Sequence, residues 1–149
     1  MANVSGTEIN LKPTQGMVTE AKRYKAWKEE GQAGGTQVAA VRASQIISGR
    51  ELSADVVVRM FSFFSRHEVD KKAEGFRKGE KGFPSKGRVS WAAWGGDSGF
   101  SWSRGKAAAI KKARERSEVI EMARPYPNEH AATITNSEQF DTFRRSNDE

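Results

Sequence analysis

Two histidines are the residues of this 149-residue chain best suited to moving protons or binding a metal near neutral pH. His67 stands next to Glu68 and near Asp70, and His130 follows Glu129. A mixed nitrogen and oxygen metal site, or an enzyme using His67, Asp70 and His130, requires the end of the chain to fold back. The alternative is that His67 ends a helix, where a cation is favoured, and that His130 bonds locally. We favour the alternative and predict no metal and no cofactor.

Nucleophilic and phosphate-loop chemistry have little support in the sequence. Serines are common, but there is no Gly-x-Ser-x-Gly turn, and no histidine and acid can be assigned to a serine. Residues 79–87 are glycine-rich, yet they lack the Gly-x4-Gly-Lys-Ser/Thr spacing and follow no predicted strand. We therefore predict that the protein is not an enzyme.

The same glycine-rich region is the better candidate for nucleic-acid binding. Its basic residues are Arg77, Lys78, Lys81, Lys86 and Arg88. Phe76 and Phe83 lie among them, which combines charge that neutralises phosphates with rings that can stack on bases. The alternative, which we favour, is that both phenylalanines fill the core while the lysines keep a long loop soluble.

Composition limits the class of protein. The net charge is +6, from 25 basic and 19 acidic residues, which favours nucleic acid or an acidic protein surface as partner. A charged fraction of 30% with both signs is also typical of a well-solvated small domain. Without cysteine there can be no disulfide or thiolate metal site, so a reducing compartment is expected. No stretch approaches the roughly 20 apolar residues that cross a bilayer, so we predict no membrane segment and synthesis in the cytoplasm.

The helical patterns are organised around residues 53–67, the most apolar stretch. Ser53 can cap a helix there, and Val57, Met60, Phe61 and Phe64 recur on one side.

A helix over 17–30 is predicted from apolar residues that include Trp27, and a helix over 36–49 has Thr36 as its cap. Pro84-Ser85 is typical of a helix entry before 88–94, and a last helix is predicted over 103–122. A turn is predicted at 97–99 and a long loop over 68–87. Trp91, Trp94 and Trp102 form a second hydrophobic centre, in which core packing is a better explanation than a partner-binding surface.

These patterns predict a mainly α fold: a small helical domain with a long loop rich in glycine and charge, and extended N- and C-terminal segments. The divisions are an N-terminal arm at 1–15, a helical domain at 16–123 and a C-terminal tail at 124–149. Helices 36–49 and 53–67 form a helical hairpin. Helix-turn-helix DNA readers have this geometry, but the second helix here has too little exposed polar face for a recognition helix, so an ordinary hairpin is favoured.

The two chain ends are predicted to bind partner proteins, because neither buries enough apolar area alone. The arm offers Ile9 and Leu11. The tail offers Tyr126, Phe140, Phe143, Arg144 and Arg145.

Several blocks of the sequence are similar to a small module of tailed-bacteriophage proteins encoded among head genes, beside prohead-protease-like and capsid-associated polypeptides. The distinctive blocks are Phe64-Ser-Arg-His-Glu-Val-Asp-Lys71 and Trp91-Ala-Ala-Trp-Gly-Gly-Asp97. Lesser ones are Lys12-Pro13-Thr14, Gly16-Met17, Arg42-Ala43, Leu52-Ser53, Arg59-Met60 and Pro84-Ser85. Tyr126-Pro-Asn-Glu-His-Ala131 and Phe143-Arg-Arg145 resemble a second phage-associated segment. Nothing matches the nucleophile-bearing part of a prohead protease, so the resemblance does not extend to proteolysis.

The resemblance implies a non-enzymatic virion structural or head-assembly accessory protein. It would be made in the host cytoplasm and reside in the virion in many copies, binding other virion proteins such as the major capsid protein, with DNA as a further contact. The alternative function is a DNA-binding accessory or regulatory protein that uses the helical hairpin and the basic loop.

Overall fold

The computed structural model describes residues 1–123, and these residues form five α-helices and one β-hairpin. The elements in chain order are β1 (Ala2–Val4), β2 (Thr7–Ile9), α1 (Gln15–Glu29), α2 (Gln37–Ile47), α3 (Ala54–His67), a 3₁₀ helix (Glu68–Lys72), α4 (Lys86–Ala93) and α5 (Gly96–Ala123). The mainly α fold predicted from the sequence is confirmed. Within residues 1–123, no helix is both long enough and apolar enough to span a membrane.

The chain divides into two units, Met1–Glu115 and Arg116–Glu149. The first unit holds both strands, the helices α1 to α4 and the first part of α5. It therefore includes residues 1–15, which the sequence pattern assigned to a separate arm. Of the second unit the structure describes residues 116–123, which are helical.

A hydroxyl side chain caps each of the helices α1 to α4. The oxygens of Thr14, Thr36, Ser53 and Ser85 accept the backbone N–H three residues further on, at 3.1–3.3 Å. Each bond satisfies one of the donors that a helix start leaves free. The starts predicted at Thr36, Ser53 and Ser85 are confirmed.

Helix α3 lies at the centre of the hydrophobic core. Val57, Met60 and Phe64 are completely buried. The Phe64 ring packs edge to face on Trp91, at 4.8 Å between centroids, and stacks on Phe100 at 5.3 Å. Trp91 thus belongs to the same core as α3, and the tryptophans do not form a second hydrophobic centre.

The first nine residues form a hairpin. Strands β1 and β2 pair antiparallel, and Ser5 and Gly6 between them both have positive φ, as a two-residue hairpin turn requires. Val4 and Ile9 are buried in the core of the chain itself. The predicted arm is therefore wrong for these residues, because pairing the strands satisfies their backbone groups and leaves their apolar side chains free to pack inward.

Leu11 anchors the hairpin to the segment before α3. Its N–H donates to Oε2 of Glu51 at 3.0 Å, and its carbonyl accepts the N–H of Leu52 at 2.9 Å. The bond from Leu11, reinforced by the chain's terminal ammonium, holds the pKa of Glu51 below its ordinary value despite partial desolvation. Leu11 is completely buried. Leu11 and Ile9 are core residues of this chain and present no free surface to a partner.

Helix α5 begins seven residues earlier than Ser103, the predicted start. The turn predicted at 97–99 is the first turn of this helix. A side chain at position 99 would collide with the Trp94 carbonyl and the Phe64 ring, so glycine allows α5 to pack closely here. Close packing outweighs the cost of about 1 kcal/mol that glycine imposes inside a helix.

The predicted hairpin of α2 and α3 is also corrected. Helix α2 packs against α1 and α4, whereas α3 packs against the 3₁₀ helix and α4. A short connection therefore does not make α2 and α3 a packed pair, since the buried face of each helix is covered by other elements. These contacts give no support to a helix-turn-helix DNA reader formed by α2 and α3.

We expect Leu11→Ala to lower the free energy of unfolding by about 2–5 kcal/mol, because it removes a fully buried side chain and leaves a cavity. Urea denaturation followed by circular dichroism measures the change. Val41→Ala, at a position that is 50% exposed, is the matched control and should change stability by less than about 0.5 kcal/mol. Equal effects of the two substitutions would contradict the placement of Leu11 in the core.

Candidate aromatic and basic binding cleft

A cavity of about 550 Å³ opens in the first unit, bounded by α1, the 3₁₀ helix, the segment 73–85, α4 and the start of α5. Its lining combines aromatic rings with cations, and we call it the aromatic-basic cleft. The lining residues are Arg23, Trp27, Lys71, Phe76, Arg77, Lys78, Phe83, Arg88 and Asp97. Such a wall can bind an anion and stack against a planar group.

Glu20 on α1 holds two of the arginines in place. Its Oε1 lies 2.9 Å from Nη2 of Arg88, and its Oε2 lies 2.6 Å from Nη1 of Arg23. The side chains of Glu20 and Arg88 are only 16% and 13% exposed, so this pair is shielded from solvent. A side chain at position 96 would overlap Glu20, and the glycine there, with φ of +67°, leaves the space that the carboxylate occupies.

Arg88 is packed between rings. Its guanidinium carbon lies 5.1 Å from the Trp27 ring centroid and 5.8 Å from that of Phe76. Both distances are in the range of cation–π attraction. While Nη2 is paired with Glu20, Nη1 is buried and has no hydrogen-bond partner within residues 1–123. Arg88 lines the cleft, and one of its donors is buried without an acceptor in the described part of the chain.

Asp97 connects the cleft to the core. One oxygen, Oδ1, accepts the indole N–H of Trp91 at 2.9 Å and lies 3.0 Å from Nζ of Lys71. Partial desolvation alone would raise the pKa of Asp97, but the bonds from Lys71 and Trp91, with the charges of Lys71 and Arg88, lower it overall. Asp97 is therefore held as a carboxylate that neutralises Lys71.

The segment that follows the 3₁₀ helix is folded on itself. Oε1 of Glu80 accepts the N–H groups of Gly75 and Arg77, at 3.1 and 2.9 Å. The bond from Arg77 is the main reason that the pKa of Glu80 lies below its ordinary value. Phe76 is buried and packs edge to face on Trp91 at 5.9 Å. The Glu80 side chain thus closes the turn that carries Arg77 and Lys78.

The cleft includes three of the five basic residues predicted for nucleic-acid binding. Arg77 and Lys78 are exposed on its wall and form no ion pair within the described part of the chain, whereas Arg88 is mostly buried. Lys81 and Lys86 are exposed but lie outside the cleft lining.

The two phenylalanines predicted either to stack on bases or to fill the core differ in placement. Phe76 is in the core, as we favoured. Phe83 is only partly buried and packs edge to face on Trp27, with 5.7 Å between centroids, on the cleft wall. Phe83 is therefore the more exposed of the two rings.

Sequence reasoning missed the contribution of α1 to this site. Glu20, Arg23 and Trp27 are spaced by three and four residues, which places them on one face of the helix. This spacing is a usable signal of a shared face, although the sequence prediction used only Trp27, as an apolar residue. The pairing of Glu20 with Arg88 joins residues far apart in sequence and could not be predicted from spacing.

The histidines do not build a site in the described residues. Nδ1 of His67 lies 3.3 Å from Oδ2 of Asp70, and its ring stacks on Phe63 at 4.6 Å. No group of three or more potential metal ligands occurs within residues 1–123. His130 lies outside the described residues, as do the tail residues predicted to bind partners, namely Tyr126, Phe140, Phe143, Arg144 and Arg145.

No family model, no curated protein and no solved structure matches the chain. The resemblance to phage head-gene proteins therefore remains an expectation from the sequence blocks. A function has to be proposed from those blocks and from the surfaces that the structure describes.

We expect Asp97→Asn to lower the free energy of unfolding at about pH 7 by less than about 1 kcal/mol, because solvent screens a side chain that is 74% exposed. Folding lowers the pKa of Asp97, so its carboxylate stabilises the fold above the ordinary pKa of 3.8. The stabilisation is lost as the pH falls through the lowered value. Urea denaturation of both proteins from about pH 7 down to pH 2 should show the difference shrinking.

Lys71→Met is the companion variant for this titration. It removes the ammonium that helps to lower the pKa of Asp97, so the effect of Asp97→Asn should depend less on pH in its background. A difference in stability that is the same at every pH would contradict the role given to the Asp97 carboxylate.

Proposed function

We propose that this chain is a non-enzymatic structural or head-assembly accessory protein of a tailed bacteriophage. It acts in many copies in the virion through contacts with other virion proteins, of which the major capsid protein is one candidate. The proposal combines the resemblance of the His-Glu-Val-Asp and Trp-Gly-Gly-Asp blocks to phage head-gene proteins with an exposed apolar surface. The N-terminal residues Ile9 and Leu11 are not part of the proposed contact, because both are buried in this chain's own core.

The observation that carries this proposal is the exposed apolar end of α5. Val119, Ile120 and Met122 are 63%, 58% and 81% exposed. Large apolar side chains that cluster on a surface are typical of sites where another protein binds. They stand just before the tail residues, from Tyr126 onward, that the sequence predicts to bind partners.

The net charge of the chain is compatible with the same function. The chain carries a net charge of +6, and such an excess attracts acidic protein surfaces or packaged DNA over the screening length of the solution. Charge of this kind raises the rate of encounter more than it sets the final affinity. The apolar end of α5 would supply the buried contact.

We expect Ile120→Lys to weaken self-association or retention in phage particles by about tenfold, because a charge in a buried contact must be desolvated without a partner. Light scattering over a range of protein concentrations measures the first property. Sedimentation of particles from cells producing the phage that encodes the chain, followed by detection of the chain, measures the second.

Val41→Lys is the matched control, because Val41 is also half-exposed and apolar but lies on α2. It should leave association and retention unchanged. A purely monomeric chain that is also absent from the particle fraction would contradict the virion proposal. Equal losses for both substitutions would contradict the assignment of the contact to the end of α5.

A DNA-binding accessory role is the second candidate function, and one specific observation favours it. Arg77 and Lys78 are exposed side by side on a fixed backbone and form no ion pair within residues 1–123. Cations of this kind neutralise phosphates and release counterions from DNA. The proposed DNA-binding role rests on this basic segment alone, because α2 and α3 do not form the packed helical hairpin that the sequence predicted.

For this candidate we expect affinity for duplex DNA to fall steeply as salt rises, and both Lys78→Ala and Lys81→Ala to weaken binding by similar factors. Both variants remove one exposed charge from the same segment. Fluorescence anisotropy with a labelled duplex at low and moderate salt measures the affinity. No retention of DNA at low salt would exclude this function.

A further inference from the structure

We infer that the aromatic-basic cleft is a binding site for one nucleotide unit, with the phosphate held by Arg88, Arg77 and Lys78 and the base received by Trp27 and Phe83. The unit can be a free nucleotide, which presents a phosphate monoester, or one residue of a single strand, which presents the same base beside a phosphodiester of one negative charge. This site goes beyond the virion proposal, and it is narrower than a general affinity for duplex DNA.

The unused donor of Arg88 is the first step. A buried N–H without an acceptor costs free energy, so native proteins rarely leave one unsatisfied. Nη1 of Arg88 is such a donor, on a side chain whose other nitrogen is already paired with Glu20. The pair with Glu20 and the flanking rings hold the guanidinium beside the cleft, where its charge attracts an oxyanion. Nη1 itself has almost no accessible surface, so an oxyanion bonds to it only if Arg88 shifts on binding.

The charge balance indicates which oxyanion fits. Five cations line the cleft, against the single carboxylate of Asp97 in the lining and that of Glu20 behind Arg23 and Arg88. Asp97 neutralises Lys71, and Glu20 offsets one of the two arginines that it binds. A phosphate monoester, with about −1.5 to −2 charges near neutral pH, balances this excess better than a carboxylate does.

The rings indicate what the phosphate is attached to. Trp27 and Phe83 are both partly exposed and lie edge to face on the cleft wall beside the cations. Stacking on such rings requires an unpaired base, which a free nucleotide or a single strand offers and an intact duplex does not. The cavity of about 550 Å³ lies within the range of small-molecule sites, about 300–1,000 Å³.

The test uses the full chain and four probes in isothermal titration calorimetry: adenosine monophosphate, adenosine, inorganic phosphate and a short oligothymidylate, with a duplex of equal length for comparison. We expect adenosine monophosphate to bind at least about tenfold more tightly than adenosine or phosphate alone, because only it uses both the cations and the rings. Equal affinity of phosphate and adenosine monophosphate, or no binding of either, would overturn the inference.

Matched variants locate the site. Lys78→Ala should weaken adenosine monophosphate by about tenfold, whereas Lys81→Ala, which removes an equal charge outside the lining, should leave its affinity unchanged. Equal effects of the two would overturn the inference. Arg88→Gln is a less secure test, because losing the pair with Glu20 can unfold the chain.

Ring removal tests the other half of the site. Phe83→Leu should weaken adenosine monophosphate by about fivefold or more and leave the weak binding of phosphate unchanged. An equal loss for both ligands would overturn the role of the ring. Binding should also quench the fluorescence of Trp27, and Trp27→Phe should abolish this signal while calorimetry still detects the nucleotide.

The polymer probes separate this site from the candidate functions. Oligothymidylate that competes with adenosine monophosphate assigns the site to single strands, and its failure to compete assigns the site to free nucleotides. Both results agree with the inference. Duplex binding that Lys78→Ala and Lys81→Ala weaken equally, without any binding of adenosine monophosphate, would overturn it while leaving the DNA-binding candidate intact.

Discussion

The first unit depends on burying the indole ring of Trp91 while satisfying its N–H group. The residue is 1% exposed, and its ring contacts Phe64, Phe76 and Phe100, which come from α3, from the segment after the 3₁₀ helix and from α5. Each such ring pair contributes about 0.5–1.5 kcal/mol beyond the burial of area. An unsatisfied buried N–H costs about 1–3 kcal/mol, so the oxygen of Asp97 that accepts the indole N–H also stabilises this part of the fold.

Satisfying Trp91 also places the wall of the cleft. The oxygen of Asp97 that accepts its N–H binds Lys71 as well, and the Trp91 ring packs on the buried face of the loop through Phe76. Glu20 completes the arrangement by holding Arg88 from α1, in the space that glycine leaves at position 96. The residues that line the cleft are thus held by the same contacts that stabilise the core.

A second chain of stacked groups joins α2 to the end of α3. The guanidinium of Arg42 lies 5.0 Å from the Trp94 ring, Trp94 stacks on Phe63 at 4.4 Å, and Phe63 stacks on His67. Arg42 is almost fully buried, and desolvation, with the nearby charge of Arg59, lowers its pKa. Its contact with an aromatic face and its bond to Gln45 replace part of the lost hydration.

The local features of this fold were predictable from the sequence, and the contacts between distant segments were not. Ser53 and Thr36 were identified as caps because a cap needs only a hydroxyl and the next turn of helix. The start of α5 was missed because two glycines and a turn signal oppose a helix locally, and the reason for the helix lies in Phe64 and Trp94. The hairpin was missed because its strands are three residues long, too short for an alternating pattern to be visible.

The residues of the candidate site likewise divide into those that the sequence could predict and those that it could not. Arg77, Lys78 and Phe83 could be found as a basic and aromatic run, because they are close in sequence. Lys81 belongs to the same run but does not line the cleft. Composition cannot distinguish Lys81 from Lys78. Glu20 and Trp27 enter the site only because α1 packs on α4, and such packing depends on the whole core.

The hydrogen bonds from the N–H groups of Gly75 and Arg77 to Glu80 order this segment before any ligand binds. A loop that must become ordered when it meets a ligand loses conformational entropy at that moment, and this loss subtracts from the affinity. Here the backbone is already ordered on folding, so that only the side-chain rotamers of Arg77 and Lys78 remain to be fixed. The segment is therefore preorganised, and whatever meets these two cations does so at a low entropic cost.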